Sequence, residues 1–227
     1  MPETVLKVAE LVKAKLSGEG SGHDWEHIER VWKTIQKLAQ EENADIELAE
    51  LAALLHDVDD AKLTGDLTTE KTLPTAYQFM REIGLPEPRQ EQVANVIRGS
   101  GYHKSLDGQG GATLEQNLLS DADYLDALGA IGIARCFAYG GYKSRPIFIP
   151  GEAPRETISR ADYVSTNTNS VNHFFEKLLR LKDKMVTRSG KTEAAKRHSR
   201  MVRYIEDFFE EVGAPAEWAE LLKPYRS

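Results

Sequence analysis

In residues 46–62, IELAELAALLHDVDDAK, apolar side chains recur at Leu48, Leu51, Ala52, Leu54 and Leu55, the three-and-four spacing of a helix that buries one face. The spacing predicts a helix over about Ile46 to Val58 that closes on the pair His56-Asp57. Where a helix terminates, consecutive side chains can splay around one centre, so an imidazole beside a carboxylate there invites a metal ion. The dipeptide alone is weak evidence, because a second one stands at His23-Asp24. Its setting at the end of a core helix gives it weight.

Working outward, the same period continues through most of the chain. Val5, Val8, Leu11, Val12 and Leu16 predict a helix over residues 3–16. Trp25, Ile28, Val31, Trp32, Ile35 and Leu38 predict another from Asp24 to about Glu42, with Asp24 as its N-cap. Further helices are expected over Thr69–Ile83 and Glu87–Gly99, parted by the breaker Gly84-Leu85-Pro86, and then over 113–137, 168–186 and 192–212. Gly129 and Gly132 read as interior glycines of the 113–137 helix that permit close packing. The best strand signal is only Ile147-Phe148-Ile149, held between two prolines. Residues 140–168 form a long connection carrying Arg145, Arg155 and Arg160, which would suit a lid or a subunit contact, although a solvated loop is the simpler reading. The expected fold is all-α, an irregular helical bundle.

Composition narrows the class. The 227 residues suit one domain over 1–227, and 41% hydrophobic with 29% charged residues is ordinary globular usage. A formal net charge of −7 argues against a nucleic-acid surface, yet leaves room for a small basic pocket. A single cysteine, Cys136, excludes an internal disulfide framework and a cysteine-rich zinc site. Charges punctuate the first sixteen residues, so no signal peptide is expected there, and no apolar run is long enough for a membrane span. The expectation is a cytoplasmic protein that binds neither membrane nor nucleic acid; a homodimer is left open.

Three helices then offer donors at their ends or core edges: His27, the pair His56 and Asp57, and Asp123. Two imidazoles and two carboxylates suit one divalent ion from the group Mn, Mg, Co, Ni, Fe and Zn. Taken singly, each has a plain structural reading, a part-buried histidine or an aspartate helix cap; taken together, they favour a metal. Asp121, two residues before Asp123, is a rival for the last position.

The segments GHDWEHIERV (22–31), AALLHDVDDAK (52–62), SDADYLDALGAIGIAR (120–135) and SVNHFFEKLLRLKD (170–183) together resemble the HD superfamily of metal-dependent phosphohydrolases. Within it the chain is similar to the short single-domain branch linked to nucleoside-triphosphate pyrophosphohydrolase activity. That resemblance implies the HD-type helical fold and matches His27, His56, Asp57 and Asp123 to the four metal ligands. The family's segment usually reads Asp-Ala-Asp-Arg-Leu, and Tyr124 stands here in place of that arginine. Two-metal variants recruit two more histidines between the pair and the last aspartate; only His103 lies in that interval, so one ion is expected. Asp60, four residues past His56, would sit one helical turn on, where a carboxylate can orient or deprotonate water, and the family often has an acid at this offset.

Phosphate calls for cations, and Arg30, Lys62 and Lys104, with His23 beside them, are the candidates for holding the substrate, each of which could equally be surface charge. His173, among Phe174 and Phe175, reads as a core histidine, and His198, in the run KRHSR, as part of a solvated face. The leading expectation is a metal-dependent phosphohydrolase acting on a phosphorylated small molecule, a nucleotide by resemblance, with pyrophosphate release. A 5′-nucleotidase-type phosphomonoesterase and a non-catalytic nucleotide or metal sensor are the alternatives.

Overall fold

The computed structural model describes residues 2–18, 24–100, 112–155 and 169–226. Within the span read from sequence as one domain, the chain packs as two compact units. The first comprises residues 1–123 and 186–190, the second 124–185 and 191–227.

In the first unit, α3 (Ile46–Leu55) packs against α1 (Glu3–Leu16), α2 (Trp25–Glu42) and α7 (Glu87–Gly99). It buries Leu48 through Leu55 without a gap, so it is a central helix covered on all sides and not an amphipathic surface one. Leu51, Leu54 and Leu55 are fully buried, and each such side chain stabilises the fold by about 1.5–3 kcal/mol. Polar groups set the ends of these helices. Asp24 accepts from the His27 amide at 2.8 Å and starts α2, and Asp45 accepts from the Leu48 amide at 3.0 Å and starts α3. The guanidinium of Arg89 on α7 forks onto Asp45 at 2.7 and 2.8 Å, which holds that carboxyl below its usual range.

The sequence-predicted helix over 46–58 ends at Leu55, and residues 56–59 turn. Two short helices follow, α4 (Ala61–Thr64) and α5 (Thr69–Thr72), and then α6 (Pro74–Glu82). The expected single helix over 69–83 is thus split at Leu73, whose φ of 51° is left-handed. Proline causes the split: it lacks the N–H a helix interior needs and steers the preceding residue out of the helical region. Asp59 repairs the new helix start. Its buried carboxylate accepts from the amides of Thr75 at 3.1 Å and Ala76 at 2.9 Å.

The predicted 113–137 helix is also two helices, α8 (Leu114–Asp126) and α9 (Gly129–Tyr142). Gly129 and Gly132 are therefore not interior glycines; they form the first turn of α9. Gly129 has φ +72°, and a Cβ on Gly132 would lie 2.2 Å from the Ala127 carbonyl oxygen. Within the second unit Arg197 donates to the Leu125 carbonyl at 2.7 Å and so satisfies an orphan at the break.

Ile147-Phe148-Ile149 is not a strand, and no strand forms among the described residues. Phe148 instead stacks edge-on against Trp218 at 4.9 Å and touches Phe208 and Phe209, while Trp218 Nε1 donates to the Pro150 carbonyl at 3.1 Å. The predicted 168–186 helix divides into α10 (Ser170–Glu176) and a 3-10 helix, Leu178–Lys184. The long helix α11 runs from Arg188 to Glu211, and a further helix α12 (Ala216–Leu222), absent from the sequence reading, packs through Trp218 and Leu222. Of the 140–168 connection, α9 occupies its first residues, Arg155 pairs with the buried Glu176, and Arg160 lies outside the described residues. Among the described residues no helix is long and apolar enough to cross a membrane.

Candidate metal centre

The first unit gathers the four donors that the sequence singled out. His27, one turn into α2 and only 2% exposed, points its Nε2 at Asp57 Oδ2, 3.4 Å away, and at Asp123 Oδ1, 3.6 Å away. His56 caps α3 and brings its Nε2 to 3.3 Å from the other Asp57 oxygen. The two imidazole rings stand 5.6 Å apart, tilted by 59°. Asp57 is thus shared between both histidines, and Asp123 enters from α8 with its side chain 35% exposed, so the cluster opens to solvent on that side.

The hydrogen bonding of His56 reveals what this cluster wants. Its Nδ1 lies 2.8 Å from the Ala53 carbonyl oxygen, an acceptor only, so Nδ1 carries a proton, and in the neutral imidazole the lone pair then rests on Nε2. That Nε2 is buried and makes no hydrogen bond. A lone pair facing carboxylate oxygens repels them, and a cation between the groups removes the repulsion. Two donors each about 2.0–2.2 Å from one ion sit about 3.0–3.5 Å from each other; the 3.4 Å His27–Asp57 and 3.3 Å His56–Asp57 spacings fall in that range, and Asp123 stands slightly farther off at 3.6 Å from His27. A ligating histidine also ordinarily donates its other ring N–H to a carbonyl or carboxylate. The residues present therefore fit a divalent ion, with Nε2 of His56 as the orphan it would satisfy.

Asp121, the rival to Asp123, is committed elsewhere. It is fully buried and accepts from the amides of Val186 at 3.0 Å and Thr187 at 2.8 Å, and from the Thr187 hydroxyl at 2.6 Å. A Cβ on Gly190 would stand 2.2 Å from its Oδ2, so only glycine admits the carboxylate at this helix start. Glu42 accepts from the Ser189 amide at 2.7 Å and pins the same segment a second time.

The remaining sequence candidates fall into three groups. Asp60 is reached by a turn in which its amide donates to the Asp57 carbonyl at 3.0 Å, and not by a continued helix. It is half-buried and engaged with neighbouring groups. Arg30 lies one turn beyond His27 on α2, also half-buried and engaged. Lys62 sits on α4, its side chain outside the described part, and His23 and Lys104 lie outside the described residues. His198 is corrected outright: it is 3% exposed, not on a solvated face, and bonds the Tyr225 carbonyl at 2.8 Å through Nε2. The basic run around it misled the reading, because one residue in each helical turn of that run faces inward. Asp59, which the sequence does not single out, caps α6 beside His56 and Asp57; its partners lie sixteen and seventeen residues on, beyond any local pattern. The Cys136 thiol is pushed up to about 12 by burial, which makes it a poor nucleophile and a poor ligand.

Comparison with known proteins gives a consistent result. Residues 24–128 match the HD domain family. The Bacillus subtilis (strain 168) protein YpgQ is 31% identical over 208 residues, covering 91% of this chain and 93% of its own. A crystal structure of YpgQ in complex with ADP superposes with a TM-score of 0.70 at 30% identity, over 90% of this chain and 97% of that one. A Lactobacillus plantarum protein superposes with a TM-score of 0.80 at 32% identity, over 95% and 99% of the two chains. An HD-superfamily hydrolase from Bacillus thuringiensis gives a TM-score of 0.73 at 38% identity, over 94% and 98%.

Proposed function

Because the chain belongs to the HD-domain superfamily, among its short YpgQ-like hydrolases, we propose that it is a metal-dependent phosphohydrolase of nucleotides that releases pyrophosphate from nucleoside triphosphates. One observation carries this reading: the donor atoms of His27, His56 and Asp57 lie within 4.8 Å of one another, Asp123 comes up beside His27, and the buried Nε2 of His56 makes no hydrogen bond. The ADP complex of YpgQ supports a nucleotide as the ligand class.

On this reading His27, His56, Asp57 and Asp123 hold one divalent ion from the group Mn, Mg, Co, Ni, Fe and Zn. When bound, such an ion polarises a phosphoryl oxygen and acidifies water. The chain's own groups do the rest. The Ala53 carbonyl keeps the His56 proton on Nδ1, so its Nε2 is ready as a ligand without rearrangement. Asp60 orients the attacking water through hydrogen bonding and takes its proton, a contribution of about 10²–10⁴-fold in rate. Arg30 neutralises developing charge on the phosphate chain, and Lys62, His23 and Lys104 are its candidate helpers.

The test is phosphate and pyrophosphate release from nucleoside mono-, di- and triphosphates by metal-stripped protein resupplied with each ion. Pyrophosphate release from triphosphates is expected. Single phosphates from monophosphates would move the reading to a 5′-nucleotidase-type enzyme, and a bound ion with no turnover to a sensor. Asp57→Ala is expected to lose the ion, measured by elemental analysis. Asp60→Ala is expected to keep the ion and lose about 10²–10⁴-fold in kcat; full activity in that variant would remove Asp60 from the mechanism.

A further inference from the structure

The turn that carries His56 and Asp57 is moored to α6 by a carboxylate that takes no part in the donor cluster. Asp59 is buried, and it divides its two oxygens between the first two amides of α6, since Pro74 has no N–H to offer. Oδ1 accepts from Thr75 at 3.1 Å and Oδ2 from Ala76 at 2.9 Å. A local cap would serve α6 more simply. Its own N-cap position is Leu73, which makes no side-chain bond where Ser, Thr, Asp or Asn ordinarily supplies one. The cap comes instead from sixteen residues upstream, so it joins two elements where a local cap would finish one. α6 is a firm support, because Ala76 and Met80 are fully buried and the helix packs on α1 and α7.

Backbone bonds hold the turn from its other side. The Asp59 carbonyl accepts the Thr69 hydroxyl at 2.8 Å, and the Asp60 carbonyl accepts the amides of Leu63 at 2.9 Å and Thr64 at 3.0 Å. The Asp60 amide donates to the Asp57 carbonyl at 3.0 Å, and the Ala61 amide to Glu70 Oε1 at 3.3 Å. Asp60 thus follows directly on the residue that grips α6, and the peptide groups on both sides of it are bonded.

On the reading in which Asp60 serves the attacking water, we propose that Asp59 is a positioning residue: its grip on α6 fixes where Asp60 stands beside His56 and Asp57. It acts on the rate through Asp60 and touches neither substrate nor ion. A misplacement of about 1 Å arising away from the chemistry can cost about 10²-fold in rate. The donors do not depend on this grip, since His27 and Asp123 belong to other helices and the Ala53 carbonyl of α3 holds the His56 ring.

The experiment is a cycle of Asp59→Asn, Asp60→Ala and the double variant in full-length protein loaded with Mn. It reads kcat and KM for the nucleoside triphosphate that the parent turns over fastest, and Mn per chain by elemental analysis. Asn keeps the side-chain volume and one acceptor oxygen, but sets an NH2 against the second α6 amide. Asp59→Asn is expected to keep its Mn and to lose about tenfold or more in kcat with KM within about twofold. Beside Asp60→Ala the same change is expected to add less than about twofold, the mark of a residue that acts through Asp60. In the metal-free protein, Asp59→Asn is expected to speed deuterium uptake across residues 57–64. Should Asp59→Asn not fold, Thr69→Val, which removes the hydroxyl bonded to the Asp59 carbonyl, decides by the same pattern. Parental kcat, unchanged deuterium uptake, or an equal fold-loss with and without Asp60 overturns the proposal and leaves Asp59 a helix cap, with Asp60 and the hydrolysis unaffected. Loss of Mn overturns it too and makes Asp59 a support of the donors. Full kcat in Asp60→Ala, or a parent protein without turnover, overturns the underlying reading and this proposal together.

Discussion

Asp121 and Asp123 stand two residues apart on α8, so their side chains leave the helix about 200° apart, and the protein uses the two carboxylates separately. Asp121 takes three hydrogen bonds from Val186 and Thr187, and Asp123 faces His27. Asp121→Asn turns an amide nitrogen toward donors and leaves a buried group unpaired, so a loss of about 1–3 kcal/mol is expected in urea unfolding of the metal-free protein. Asp123→Asn should change that stability by less than about 0.5 kcal/mol while weakening metal uptake; the reverse pattern would mean the two roles have been exchanged. Sequence preferred Asp123 through the family resemblance but left Asp121 as a rival, because the partner that claims Asp121 lies 65 residues away. That His27, His56 and Asp57 come together was legible because each sits at a helix start or end. His198 was not, since a run of lysines and arginines hides which side of the helix faces inward.

At the level of elements, the stripes of apolar residues located the long helices, and Glu87–Gly99 agrees with its expected bounds. What periodicity did not reveal is where a helix stops within an apolar stretch. Pro74 and Gly129 are those stops, and each works through backbone conformation and not through hydrophobicity. Gly132→Ala tests the second break. Its added methyl would meet the Ala127 carbonyl at 2.2 Å, an atom of the backbone that cannot swing aside. The α8–α9 junction should lose about 1–3 kcal/mol, as overpacking commonly costs, read as a lower Tm. A Tm unchanged from the parent protein would show that the junction is free to shift.

For the molecule as a whole, acid should be destabilising in a way that can be traced to single groups. Burial holds both His173 and His198 below the ordinary imidazole value of 6.5, although the bond to the Tyr225 carbonyl pulls His198 the other way. Below that pH the unfolded chain takes up protons that the folded protein refuses. Stability is therefore fully present above pH 6.5 and declines as acid is added, by at most about 1.4 kcal/mol per pH unit for each group. His198→Gln should flatten the decline between pH 7.5 and 5.5 in urea unfolding; an unaltered slope would clear His198 of responsibility. The all-α class was legible over the entire described chain, whereas the packing of Phe148 among Trp218, Phe208 and Phe209 was not, because aromatic contacts between distant segments leave no local period.

The position of His56-Asp57 immediately after α3 bears on how the protein breathes. A helix enclosed by α1, α2 and α7 can exchange its amide hydrogens only when those neighbours let go together. Amides of Leu51 to Leu55 should accordingly be among the slowest to take up deuterium, at the rate set by global unfolding. Two of the donors are thus anchored to the last part of the chain to open. Fluctuations that fray the outer helices would leave that pair assembled, and on the proposed reading an ion lost in such an excursion would find two of its four donors still in place.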